Sequence, residues 1–301
     1  MEKEKRSLIK DLGESTAKSY AGSYMRLRKI LNMTDKRKPI KKISLDVILE
    51  EIKKVDNPST AYSVFVIAKK LFSYADNKEK FDELDKIIKE RKREIQVDKN
   101  KNLNSSLPTY KEIATAVKKE QDPRKYITSF IMFKINTRNQ DVALADLHAK
   151  PKENYDEKRN HLILDGNKVI FIRNVYKTAK KYGQKKNTIV VKKFADAVRD
   201  VLGDADTKPL FSRKNGEHIT PASIASYLKK YVVLGLNEGQ IIKAVLKYAD
   251  ENGSYDMLRK ISANRGTGVN VLLQEYDVSN IKEPTEVITQ KQEVKQTVEV
   301  E

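Results

Sequence analysis

The sequence predicts a mainly α-helical protein with a small antiparallel β-sheet, arranged as an N-terminal helical domain and a C-terminal α+β domain. Three observations carry this reading. Residues 1–95 show apolar residues at helical spacing behind Ser, Thr or Asn caps. Residues 96–108, "QVDKNKNLNSSLP", are polar and lack periodicity, which marks a linker. Between about 160 and 192 the period changes to β-branched runs joined by Gly, Asn and Lys.

In the first domain, "STAKSYAGSYMRLRKIL", "SLDVILEEIKK", "NPSTAYSVFVIAKKLFSYA" and "KEKFDELDKIIKERKREI" read as four helices. Short polar breaks separate them, as in a compact bundle. Beyond the linker, residues 109–278 begin with two more helices, "TYKEIATAVKK" and "PRKYITSFIMFKI". The strands follow as "NHLILDG", "NKVIFIRNVY" and "NTIVVKK". Helices return at "KFADAVRDVL", "TPASIASYLKKYVV", "GQIIKAVLKYADEN", "SYDMLRKIS" and "VNVLLQEY". Residues 279–301 have three basic and five acidic side chains and little to bury, so a mobile tail is expected.

Composition narrows the partners. The 301 residues suffice for two domains with sizeable cores. No apolar run approaches the ~20 residues of a membrane helix, and the charged N-terminus lacks the apolar core of a secretory signal. The chain has no cysteine, which excludes disulfides and thiolate metal sites and fits a reducing, cytoplasmic setting. Its three histidines, His148, His161 and His218, make a zinc site improbable, and no cofactor is expected. The formal net charge of +18 is uneven. Residues 1–100 hold 25 basic and 17 acidic side chains, residues 101–200 hold 22 and 11, and the remainder 13 and 14. A basic excess over the first two thirds suits a polyanion, since each neutralised phosphate releases counterions. A lysine-rich, solvated surface is the plainer explanation.

The stretch "KINTRNQDVALADL" sets an arginine and an acid, Arg138 and Asp141, between two apolar segments. Two readings fit: an internal pair on one helical turn, or a guanidinium that forks onto two phosphate oxygens with the carboxylate orienting it. Residues 171–190 contain Arg173, Lys177, Lys180, Lys181, Lys185 and Lys186 and no acid. They form a basic hairpin suited to phosphates. Near the C-terminus, "QIIK", "RGT" and "EYD" follow one another at fixed intervals: Thr267 lies 24 residues after Lys243, and Tyr276 nine after Thr267.

In order and spacing these motifs resemble the tyrosine recombinases, the phage-integrase superfamily, over nearly the whole chain to about Asp277. The first domain resembles their helical core-binding domain and the second their catalytic domain. The resemblance implies that Arg138 grips the scissile phosphate. It implies that a hairpin lysine, Lys177 first and Lys180 next, protonates the leaving 5′ oxygen. Tyr276 would form a covalent 3′-phosphotyrosine. Arg173, Lys180, Lys181, Lys185 and Lys186 would contact DNA. The letters depart from the family at three of six positions. Gln240 and Thr267 stand where the family has histidine, and Lys243 stands at its second arginine, losing the bidentate grip. Arg265, two residues before Thr267, is a substitute source of the guanidinium. The resemblance further implies a double-stranded DNA partner, assembly as a dimer or tetramer on DNA, no metal or nucleotide, and an origin in a phage, virus or mobile element.

Two functions fit these residues. One is a site-specific recombinase or integrase acting through Tyr276. The other is a sequence-specific DNA-binding protein, a repressor or architectural factor, that has the fold without the chemistry. A type IB topoisomerase shares the chemistry but fits the helical N-terminal half less well. RNA binding lacks support, since no stacking module is visible and the chain has no Trp.

Overall fold

The structure is a computed structural model that describes residues 2–35, 37–104, 107–231, 233–276 and 297–298. The chain divides into two compact units, Met1–Leu103 and Asn104–Glu301.

The first unit is helical: α1 (Glu2–Ile9), α2 (Glu14–Ile30), α3 (Leu45–Lys53), α4 (Pro58–Leu71) and α5 (Lys78–Asn104). Local chemistry sets the helix starts. The Ser44 hydroxyl accepts from the Val47 amide. The Asn57 side chain accepts from the Ser59 and Thr60 amides, with Pro58 in the first turn. Ala61, Val64, Phe65, Ala68 and Leu71 form the apolar stripe of α4, while Phe81, Leu84 and Ile88 form the thinner one of α5. Helix α1 lies within the stretch 1–95 that reads as helical, outside the four helices singled out from the sequence. It is held by Glu4, whose carboxylate accepts from the Tyr24 hydroxyl (2.7 Å) and the Ile40 amide (2.9 Å). The stretch 96–108, expected as a linker, is helical as far as Asn104, at the boundary between the units. Propagating an existing helix adds one bond per residue and needs no apolar stripe, so composition alone misreads this segment.

The second unit contains α6 (Tyr110–Lys119), α7 (Pro123–Lys134), α8 (Asn139–Ala143), α9 (Ala179–Tyr182), α10 (Lys192–Leu202), α11 (Pro221–Tyr231), α12 (Glu238–Glu251), α13 (Tyr255–Arg265) and α14 (Val269–Tyr276). Its strands are β1 (Ala145–His148), β2 (Asn160–Asp165), β3 (Lys168–Arg173), β4 (Lys185–Ile189), β5 (Thr207–Pro209) and β6 (Thr297–Val298), in the order β5-β1-β2-β3-β4-β6. The three expected strands, β2, β3 and β4, are the antiparallel centre. The sheet as a whole is mixed, because β1 joins β2 in parallel and β6 joins β4 in parallel. Apart from Thr297–Val298, the expected mobile tail lies outside the described residues. Helices α7, α10 and α12 build the core with the sheet through Ile127, Phe130, Ile131, Phe194, Val198, Ile241 and Val245. Helix α7 is buried from Tyr126 to Phe133, so it delivers the chain to Arg138 from inside the core. No helix among the described residues is long and apolar enough to cross a membrane.

Candidate functional site

Five of the residues singled out from the sequence, Arg138, Arg173, Lys185, Arg265 and Thr267, meet at one turn, between α13 and α14. Helix α13 ends at Arg265, and Gly266 takes the left-handed conformation (φ 60°, ψ 50°) that reverses the chain. The last carbonyls of a helix have no partner within it, and they form the negative end of its dipole. Here three cations and two hydroxyls take them in sequence. Lys185 Nζ donates to the Ala263 carbonyl. Arg173 Nη1 donates to that of Asn264 (2.8 Å), and Arg138 Nη1 to that of Arg265 (2.5 Å). Thr178 Oγ1 donates to the Gly266 carbonyl (2.8 Å), and Ser262 Oγ to that of Thr267. Arg138 also donates from Nη2 to Thr267 Oγ1 at 2.9 Å. Two positions 129 residues apart are thus in direct contact.

Arg138 reaches this turn because the chain leaves α7 through Asn136, a non-glycine residue at φ 56°, and holds Arg138 extended as the N-cap of α8. The backbone amide of its neighbour Asn139 donates a hydrogen bond to Glu238 Oε2 (2.9 Å) at the start of α12. Both readings of the Arg138–Asp141 motif require revision, since the carboxylate of Asp141 is salt-bridged to Arg173 at 3.2 Å, with both side chains fully buried. Burial pushes the Asp141 carboxyl above the usual carboxylate range, and the Arg173 guanidinium opposes that shift.

The expectation that Arg173 contacts DNA is overturned: its side chain is 0% exposed. Strand alternation is the reason. Val169, Phe171 and Arg173 share the inner face of β3, and Asn187 and Ile189 share that of β4. Arg173 spends a further donor on Asn187 Oδ1 (3.0 Å), so it braces the sheet and the Asn264 carbonyl. Lys185 is directly cross-strand from Arg173 and lies on the same face, half-buried. Its ammonium stands 5.1 Å from the Tyr176 ring centre and 5.5 Å from that of Tyr182. Burial, followed by the charges of Arg173 and Arg138, lowers its pKa to about 8. Lys177, Lys180, Lys181 and Lys186 are exposed.

The remaining positions divide between the turn and α12. The Arg265 guanidinium is 7% exposed and pairs with Glu238 Oε1 (2.9 Å) and the Asn136 carbonyl (3.2 Å), so it ties α13 to α12 and the α7–α8 loop. Serving a phosphate would require it to leave a part-buried carboxylate. The Gln240 side chain is the distal half of a capping box, accepting from the Asn237 amide at 3.0 Å. Lys243 is half-buried, one turn further along α12. Tyr276 ends α14, and its side chain lies outside the described residues. The histidines belong elsewhere. His148 and His161 bond to each other at 3.0 Å, and His218 to Asp146 at 2.8 Å.

Sequence reasoning missed the central place of Lys185, of Thr178 and of Gly266. A β-carbon on Gly266 would collide with Thr178 Oγ1 and lie 3.0 Å from the Tyr176 ring. The alternation Lys185-Asn187-Ile189, in phase with an inward apolar residue, was the available signal. No family model and no curated protein matches the sequence. Among solved structures the chain is similar to the crystal structure of XerA recombinase, at 12% identity over 91% of this chain and 93% of that one, with a TM-score of 0.35.

Proposed function

We propose that this protein binds double-stranded DNA and cleaves and rejoins one strand at a time through Tyr276, as a site-specific recombinase or integrase. The observation that supports this most is the contact of Arg138 with Thr267, beside Lys185, on the turn that leads into the helix ending at Tyr276. Arg138 is a half-buried fork donor beside a second cation, and a phosphate oxygen replaces a backbone carbonyl as its acceptor with gain of charge assistance. In this mechanism the Tyr276 oxygen attacks phosphorus, a lysine of the 171–190 segment protonates the departing 5′ oxygen, and the reverse attack by that hydroxyl reseals the strand. Lys243 adds positive charge. The exposed Lys177, Lys180, Lys181 and Lys186 supply sequence-independent phosphate contacts, and protomers assemble as dimers or tetramers on the DNA.

A second reading is DNA binding without cleavage, by a repressor or architectural factor. It has its own support: Gln240, at a position where the family has a catalytic histidine, is committed to a capping box, and Arg265, the substitute source of the guanidinium, is committed to a part-buried ion pair, so both serve the fold here. One experiment separates the two. DNA fragments that the protein selects are incubated with wild type and Tyr276→Phe, then boiled in SDS. DNA retained by the wild type alone establishes the phosphotyrosine. Specific binding that SDS fully releases, on nicked sites as well, leaves the binding reading.

A further inference from the structure

We infer that Lys185, on strand β4, is the proton donor to the leaving 5′ oxygen, and that Lys177 is not. This rests on the cleavage reading above and assigns a residue within it. Lys185 and Arg138 donate to carbonyls two residues apart on the same turn, Ala263 and Arg265, so ammonium and guanidinium are fixed side by side. Lys185 Nζ also lies 3.3 Å from the point a Gly266 β-carbon would occupy, a point already crowded by Thr178 Oγ1 and the Tyr176 ring, so only glycine lets the ammonium sit this close to the turn. A phosphate gripped by Arg138 therefore meets Lys185 without a change of strand position. Lys177 is exposed, next to Thr178, whose hydroxyl is spent on the Gly266 carbonyl. The local electrostatics agree. Burial and the flanking Arg173 and Arg138 lower the Lys185 pKa to about 8, which brings an ammonium close to the range where it gives up a proton readily. Arg173 cannot take the role, since it is fully buried and its guanidinium does not deprotonate.

The step balances. The bond from the Tyr276 oxygen to phosphorus forms and the P–O5′ bond breaks. The Lys185 ammonium gives its proton to O5′, producing a hydroxyl and a neutral amine. The phenol's proton leaves to water, and the amine regains one from water, so the net change is a phosphotyrosine and a free 5′ hydroxyl.

The test uses the full chain and a duplex it selects, with the scissile phosphate mapped from the wild-type adduct. That duplex is also made with sulfur replacing the bridging 5′ oxygen. A thiolate, with a parent pKa of about 8.5, departs without a proton donor. Lys185→Ala is expected to slow adduct formation on ordinary DNA by about 10²–10⁴-fold, and to return within a few-fold of wild type on the sulfur substrate. Lys185→Arg, which keeps the charge and the carbonyl bond, should show the same selective rescue and guards against a folding defect. Lys177→Ala, which removes a phosphate contact, should change the rate by the same factor on both substrates. Selective rescue of Lys177→Ala, or equal loss by both Lys185 variants on the two substrates, overturns the assignment while the cleavage reading stands. A wild type that forms no adduct on either substrate overturns both.

Discussion

Replacing Arg173 by methionine keeps most of the aliphatic volume and deletes the charge at the centre of the second unit. The side chain is fully buried, and its guanidinium bonds to Asp141 Oδ2 (3.2 Å), the Asn264 carbonyl (2.8 Å) and Asn187 Oδ1 (3.0 Å). Its removal leaves the Asp141 carboxylate, 1% exposed, without its counter-ion. Breaking one partner of such a pair costs about 3–5 kcal/mol, a large fraction of the ~5–15 kcal/mol that holds a domain together. For a unit of this size each kcal/mol lowers Tm by about 2–4 °C, so the unit should melt some 6–20 °C lower. The full chain followed by circular dichroism and calorimetry supplies an internal control, because a transition belonging to the first unit should not move. Adding Asp141→Leu should recover most of the loss, since replacing both members of a buried pair by apolar groups is commonly neutral or stabilising. A shift below about 1 kcal/mol for Arg173→Met, or additive losses in the double variant, would refute the reasoning.

Gly266→Ala forces a β-carbon into the left-handed region at φ 60° and against Thr178 Oγ1, nearer than a β-carbon can approach. It should cost about 1–2 kcal/mol for the backbone and about 1 kcal/mol for the broken Thr178 bond, and Thr178→Ala should not add to it in a double-mutant melt. His148 is buried beside His161, and its pKa falls to about 4 from 6.5, chiefly through burial. Between these values the unfolded chain holds the extra proton, so stability is full above about pH 6.5 and declines by on the order of 3 kcal/mol as pH drops to about 4. An imidazole NMR titration of His148 with a midpoint near 6.5 would contradict this. Alanine at Lys180, Lys181 or Lys186 should weaken DNA binding on all sequences and reduce the slope of log K against log salt by about 0.9 for each phosphate that is no longer neutralised. An unchanged slope would remove that lysine from the interface.

Most of the longer helices of both units were legible because their signals are local. The capping boxes at Thr109–Glu112 and Asn237–Gln240, the caps at Ser44 and Asn57, and the apolar stripes of α4, α10 and α12 all lie within a few residues of what they specify. The polar run 96–104 misled for the converse reason: a helix already nucleated at Lys78 continues on backbone bonds that composition does not report. Gln240 was read through its spacing from Thr267 and Tyr276, while its side chain answers to the helix start three residues away.

By itself the sequence determined where helices begin and which apolar faces need cover, and it offered a basic stretch, an arginine at 138 and a tyrosine at 276 as candidates. Only the tertiary structure decided what each cation faces. Arg173 and Lys177 look equivalent in a run of basic residues, yet one is sealed against Asp141 and the other meets solvent. The difference comes from strand pairing, which turns Arg173 inward on β3, while Lys177 lies past the end of that strand. It comes also from a helix end more than 70 residues away, whose terminal carbonyls, at the negative end of the helix dipole, draw Lys185, Arg173 and Arg138 onto one turn. Both are properties of the assembled backbone, and no short window of the chain contains them.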